Sequence, residues 1–167
     1  YRGDGEANWQ LLQTNIHHSY TSFDLTRIPD GGYTLRVMAS DAPSHPTGDA
    51  LTGYKDSEHF LLDTTPPVLS ALRATLRDGT IHVAFDAQAK LSTIARAYYS
   101  VDAGPWQYME PVGHLSDALE EHYDVSVPLP PRNANAALAP ALPQQHVIAV
   151  RVLDRAGNAA TGKTVVE

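Results

Sequence analysis

The stretch HVIAVRVLDRAGN, residues 146–158, joins a strand pattern to a tight-turn pattern. Within residues 146–154 the apolar, mostly β-branched residues alternate with others, which is the period of a strand with one buried face. Asp154, Gly157 and Asn158 follow at once. A carboxylate in this place can accept backbone N–H bonds from the turn, and glycine supplies the positive φ. The stretch therefore predicts a strand, a tight turn and a returning strand.

The same alternation recurs in short segments that are separated by Gly, Pro, Asp and Asn. The clearest are residues 33–41, 80–86 and 122–127. Helical spacing occurs only in residues 116–122, where one or two turns are predicted, with Asp117 as the cap and Glu120 reaching back. Many short strands with turn-rich connections are typical of an all-β sandwich.

An internal repeat sets the domain organisation. Residues 1–10 read YRGDGEANWQ and residues 98–107 read YYSVDAGPWQ, so that Tyr and Trp-Gln recur 97 positions apart. Further along, Asp41 closes YTLRVMASD and Asp154 closes HVIAVRVLD in the same order. A repeat of about 100 residues is the size of one sandwich domain, so two domains are predicted.

The predicted boundary lies near Thr64, within LDTTPPV, where Pro66 and Pro67 favour a short stiff connection. The domains are then residues 1–64 and 65–167. The second contains seven strand-like segments: 68–76, 80–86, 95–101, 107–111, 123–127, 146–154 and 163–166. The first aligns only from the middle of the third strand onward. We therefore expect an incomplete first sandwich in a C-terminal fragment of a larger protein, with the missing strands cleaved, disordered or supplied by another chain.

Three segments resemble bacterial immunoglobulin-like and fibronectin type III modules. PDGGYTLRVMASD, residues 29–41, is similar to their E-to-F corner and F strand; VRVLDRAGNAA, residues 150–160, resembles their F-to-G turn; DTTPPVL, residues 63–69, resembles the joint that opens such repeats. The resemblance implies tandem immunoglobulin-like sandwiches. It also implies that the Tyr33 hydroxyl bonds back to the backbone, whereas His146 occupies that position in the second domain.

The E-to-F connection is 13 residues longer in the second domain than in the first. The added segment, PPRNANAALAPALP at residues 130–143, is rich in Pro and Ala. This composition predicts a surface loop.

Composition excludes several classes of function. The net charge of −7 comes from 19 acidic and 12 basic residues without a basic cluster, so no nucleic-acid partner is expected. No apolar run approaches the roughly 20 residues that cross a bilayer, so no membrane insertion is expected. The absence of cysteine removes disulfides, thiol nucleophiles and thiolate zinc sites.

Motifs for catalysis and metal binding are equally absent. The eight histidines are scattered, and the neighbours His17 and His18 would point to opposite faces of a strand. The acidic group beside His122 is interpreted as a solvated surface rather than a divalent-cation site. A calcium site at the joint, formed by Asp63 with Asp86 or Asp154, is the alternative. With no nucleophile motif and no phosphate-binding loop, the sequence predicts no metal, no cofactor and no enzymatic activity.

Aromatic residues are the best candidates for ligand binding, because a flat exposed ring can stack on a sugar. The predicted binding residues are Tyr54, Tyr99, Trp106 and Tyr108. Tyr54 belongs to a long predicted loop, residues 42–56. The competing interpretation is that Trp9 and Trp106, which share a repeat position, have a packing role.

The tripeptide Arg2-Gly3-Asp4 matches a known cell-adhesion signal. In the repeat it aligns with residues 99–101, in a hairpin that keeps no such tripeptide. It is therefore interpreted as a tight turn around Asp4, made possible by Gly3 and Gly5.

The sequence favours a non-catalytic spacer or protein-interaction module of a larger bacterial protein that is secreted or displayed at the cell surface. Its expected location is extracytoplasmic. Its expected partners are upstream domains of the same protein, and another protein or a glycan. The alternative function is that of an accessory carbohydrate-binding domain of a secreted enzyme.

Overall fold

A computed structural model of the chain describes residues 1–22, 24–45, 48–129 and 145–167. All regular elements in this part of the chain are β-strands, and every strand pair is antiparallel. The predicted all-β class is confirmed. The chain divides into two compact units, Tyr1–Asp63 and Thr64–Glu167. The loop predicted at residues 130–143 lies outside the described residues.

The described part of the first unit contains two small sheets. Its strands are β1 (Arg2–Gly3), β2 (Gly31–Thr34), β3 (Arg36–Ser40), β4 (Thr52–Asp56) and β5 (Phe60–Leu62). Strand β2 pairs with β1 and β5, and β3 pairs with β4. Residues 22, 24 and 25 lie in no strand.

Residues 33–41 were predicted to form one strand, and this is wrong. The strand is interrupted at Leu35, whose N–H donates to Ser57 Oγ (3.0 Å) and whose carbonyl accepts the Ser57 N–H (2.8 Å). These two bonds replace the regular ladder at this point. As a result β2 and β3 belong to different sheets.

The first unit buries little apolar surface. Among its described residues, Ile28 and Tyr33 are the buried hydrophobic ones, whereas Val37, Met38 and Leu51 are exposed. The Tyr33 hydroxyl donates to the Pro29 carbonyl at 2.6 Å, which confirms the bond to the backbone predicted for this residue. The assignment of this unit as the later part of a sandwich stays a prediction.

The second unit contains two larger sheets. Its strands are β6 (Val68–Arg77), β7 (Thr80–Gln88), β8 (Ile94–Val101), β9 (Gln107–Met109), β10 (Glu120–Pro128), β11 (His146–Asp154) and β12 (Ala159–Val166). One sheet has the order β10-β7-β6 and the other β12-β11-β8-β9. Each of the seven segments predicted from the sequence overlaps one of these strands.

Side chains from both sheets meet in a single core. The three-stranded sheet contributes Ile81, Phe85 and Tyr123, and the four-stranded sheet contributes Ile148 and Val150, all fully buried. The Phe85 and Tyr123 rings stack with centroids 4.7 Å apart. Two sheets that share one apolar layer form a β-sandwich.

The chain enters and leaves this sandwich at opposite ends. Val68 pairs with Gln88 at the first end, and a short connection leads from there to β8. At the other end Val166 pairs with His146. A strand of nine residues spans eight steps of about 3.3 Å, so the two ends are about 25 Å apart.

The predicted turn of residues 154–158 is confirmed in detail. Asp154 is buried, and its Oδ1 accepts the Asn158 N–H at 2.9 Å. The Asn158 side-chain amide donates to Oδ2 at 2.9 Å, and Gly157 has a φ of 91°. The carboxylate therefore holds the connection between β11 and β12.

The helical turn predicted for residues 116–122 is wrong. Strand β10 begins at Glu120, which pairs with Gln88 of β7. The carboxylate that accepts N–H groups here belongs to Glu121, whose Oε1 is 3.1 Å from the backbone nitrogens of Asp117 and Ala118. The helical spacing of residues 116–122 therefore predicted the wrong backbone conformation, because pairing with β7 holds the chain extended from Glu120 onward.

Candidate functional site

The outer face of the four-stranded sheet carries the most distinctive group of side chains in the second unit. Val150 and Val152 of β11 point into the core, so Arg151 points away from it. The register places Arg151 opposite Tyr98 of β8, and Tyr98 opposite Tyr108 of β9. These residues therefore form a row across three neighbouring strands.

Trp106 completes the group, which we term the aromatic–arginine row (Trp106, Arg151, Tyr98 and Tyr108). The guanidinium carbon of Arg151 lies 5.2 Å from the Trp106 ring centroid and 5.5 Å from that of Tyr98. The Tyr98 and Tyr108 rings meet edge to face at 6.1 Å. Trp106 is 43% exposed and Tyr108 is 53% exposed, so a ligand can reach the row.

The same face is positively charged. By strand alternation its outward residues include Arg96 and Lys163 beside Arg151, and no Asp or Glu lies among the outward strand residues of this sheet in the described chain. Glu110, just beyond β9, contacts His114 (Oε2 to Nδ1, 3.1 Å). A cationic surface in a chain of net charge −7 favours anionic ligands.

The first unit contains a related stack. The Arg36 guanidinium lies between the rings of Trp9 (4.1 Å) and Tyr54 (4.0 Å). Its Nε and one terminal nitrogen donate to Asp56 at 2.6 and 2.7 Å. The bond from Arg36 lowers the pKa of Asp56, and the bond to Asp56 raises the pKa of Arg36. Each tryptophan of the repeat therefore packs against an arginine.

The structure separates the predicted binding residues. Trp106 and Tyr108 belong to the aromatic–arginine row. Tyr99 packs against the core and donates to Gln107 Oε1 at 2.8 Å, so its neighbour Tyr98 lies on the outer face instead. Tyr54 lies in the first unit and in strand β4, so the prediction of a loop over residues 42–56 is wrong for its last third, where Tyr54 pairs with Met38.

Sequence reasoning missed Arg151 as a member of the site. The signal was present in HVIAVRVLD, since a charged residue between two core valines must point outward. The pattern does not give the register between β8 and β11, and this register brings Tyr98 and Trp106 next to Arg151.

The Arg2-Gly3-Asp4 segment is integrated into the sheet of the first unit. Arg2 and Gly3 form β1, opposite Thr34 and Tyr33. The turn follows at Gly5, with a φ of 78°, as predicted. The Asp4 carboxylate lies 3.0 Å from His59 Nε2.

A pair formed by the buried His146 and the exposed Asp102 joins β11 to the turn after β8. The His146 side chain is 8% exposed, and its Nδ1 lies 2.7 Å from Asp102 Oδ2. Asp102 Oδ1 accepts the Val147 N–H at 2.9 Å. Burial raises the pKa of Asp102, but the hydrogen bonds from His146 and Val147 outweigh it and hold this pKa below its usual 3.8.

The carboxylates considered for cation binding in the second unit are engaged locally. Asp86 Oδ1 lies 2.6 Å from His122 Nδ1, and Asp154 holds its own turn. Among the described residues no three His, Asp or Glu side chains come together as a metal site would require.

No helix in this part of the chain has the length and hydrophobicity to span a bilayer.

No family model matches the chain, and no curated protein matches it. Among solved structures it is similar to a mutant of the SrpA adhesin from Streptococcus sanguinis, with a TM-score of 0.40 and 21% identity over 64% of this chain. The match spans 58% of the adhesin chain.

Proposed function

We propose that the chain is a non-catalytic spacer and interaction module, made of tandem immunoglobulin-like or fibronectin type III-like sandwiches, the first of them incomplete. In this proposal it belongs to a larger bacterial protein that is secreted or displayed at the cell surface, outside the cytoplasm. The observation that carries the proposal is the entry of the chain at Val68 and its exit at Val166, at opposite ends of the second unit. Such a domain adds about 25 Å between the segments on its two sides.

The strand order supports the immunoglobulin-like assignment. Three strands (β6, β7 and β10) face four (β8, β9, β11 and β12), and the long strand before the last turn carries the Asp154 turn motif. These are the features of the seven-stranded sandwich implied by the sequence resemblance.

An accessory carbohydrate-binding role is the alternative. The exposed rings of Trp106 and Tyr108 favour it, since they lie in one row on an open sheet face. The two roles are compatible, because the spacer uses the ends of the sandwich and the row lies on its side.

A distance measurement tests the spacer proposal. The chain has no cysteine, so spin labels at Val68→Cys and Val165→Cys, both exposed, report one distance only. Pulsed electron paramagnetic resonance should give about 20 Å, because Leu69, the neighbour of Val68, packs against Gly162, and Gly162 lies only three residues before Val165. A matched pair at Val68→Cys and Ala156→Cys, both at the entry end, should give a clearly shorter distance. Equal distances for the two pairs would rule out the spacer geometry.

A further inference from the structure

The two tryptophan–arginine stacks differ in one respect, namely the acceptor of the guanidinium. Arg36 donates to Asp56 through Nε and a terminal nitrogen. Arg151 is in no ion pair among the described residues, and its Nε is shielded from solvent without a hydrogen-bond partner. The stack in the first unit therefore includes a carboxylate that accepts from the guanidinium, and the stack in the second unit does not.

The strand register shows which residue makes this difference. Arg36 lies directly opposite Asp56 on the neighbouring strand, and Arg151 lies directly opposite Thr161. A threonine therefore stands in the second unit where the first unit has the acceptor. Its short neutral side chain cannot form the paired hydrogen bonds that a carboxylate forms with a guanidinium.

We propose that the aromatic–arginine row binds a carboxylated polysaccharide, whose uronate carboxylate supplies Arg151 with the acceptor that Asp56 supplies to Arg36. The inference rests on the proposed interaction role and names the partner class for it. The carboxylate pairs with the terminal nitrogens of Arg151, and Arg96 and Lys163 on the same face add to the attraction. The exposed rings of Trp106 and Tyr108 stack on the C–H faces of neighbouring pyranose rings.

An extended acidic sugar fits this face better than other anions. The row crosses three strands of an open sheet, so it can follow a polymer over more than one ring. Nucleic acid needs a denser set of cations than these three, in a chain that is acidic as a whole. An acidic peptide would use the cations but gain little from the flat rings, and the experiment separates this case.

The test uses the full chain and three hexasaccharide probes, composed of galacturonate, mannuronate or glucuronate-containing units, in calorimetric titration. We expect at least one acidic probe to bind and its neutral methyl ester to bind at least tenfold more weakly. Arg151→Gln should weaken binding at least tenfold. Thr161→Asp should do the same by supplying an internal carboxylate, whereas the neutral Thr161→Asn should bind like the wild type.

Several results would overturn the proposal. The first is that no acidic probe binds, and the second is that a polyglutamate peptide binds as tightly as the best sugar. The proposal is also wrong if Thr161→Asp binds the sugar as tightly as the wild type, or if Thr161→Asn loses as much affinity as Thr161→Asp. Melting temperatures of the variants show whether each is folded; should Arg151→Gln fail to fold, the Thr161 pair decides the matter. The spin-label distance in the same chain is independent of these probes, so failure here leaves the spacer proposal standing.

Discussion

Phe85→Ala should lower the free energy of unfolding of the second unit by about 3–5 kcal/mol. Phe85 is fully buried in the middle strand of the three-stranded sheet, and its ring stacks on Tyr123. Truncation to alanine removes the burial of the ring and leaves a cavity between two sheets that cannot close without bending. A sandwich of this size has a total stability of about 5–15 kcal/mol, so the variant should be close to unfolding.

Chemical denaturation followed by fluorescence measures this effect. In a Trp9→Phe background the signal comes from Trp106 alone, and so reports on the second unit. Tyr108→Ala, which removes an exposed ring from the other sheet, should cost about 1 kcal/mol or less. Similar losses for Phe85→Ala and Tyr108→Ala would mean that the core is not where the structure has it.

Asp102→Ala should destabilise the second unit by about 2–3 kcal/mol at neutral pH, the second largest effect that we expect. The change removes the acceptor of two hydrogen bonds, from the buried His146 ring and from the Val147 N–H. Asp102 also has a φ of 52°, which aspartate tolerates better than alanine. The same denaturation experiment measures the loss.

The pH dependence of this contribution has a definite sign. The pKa of Asp102 is lower in the folded chain than its usual 3.8, so the unfolded chain binds the proton more readily. The Asp102 carboxylate therefore stabilises the fold at pH values above 3.8, the pKa of the group in the unfolded chain. This stabilisation is lost as the pH falls through the lower pKa that the group has in the folded chain. Asp102→Asn, which keeps the backbone preference, should lose less stability than the wild type between pH 5 and about pH 2. An equal loss in both proteins would contradict the role of this carboxylate.

Local patterns predicted the strands of the second unit well. Alternation identified β7 and β11, and the motif at Asp154 identified the turn, because these signals act over a few neighbouring residues. The prediction was wrong where a distant partner decides the conformation. Pairing with β7 makes Glu120 the start of a strand, and the Ser57 hydroxyl interrupts the strand at Leu35.

The candidate site could be predicted only in part. An exposed aromatic such as Trp106 beside a turn is visible in the sequence. The choice between Tyr98 and Tyr99 depends on which side of β8 faces the core, and the contrast between Asp56 and Thr161 depends on the register between strands. Register is set by long-range pairing, and a shift of one residue would reverse every side chain.

Pulling the full chain from its two ends tests the spacer account most directly, because a spacer must transmit tension as a folded body. The second unit should unfold in one cooperative step and lengthen the chain by about 340 Å, since its residues extend from a domain about 25 Å long to about 3.5 Å each. A force trace in which this part of the chain lengthens gradually, without a step of that size, would contradict the account.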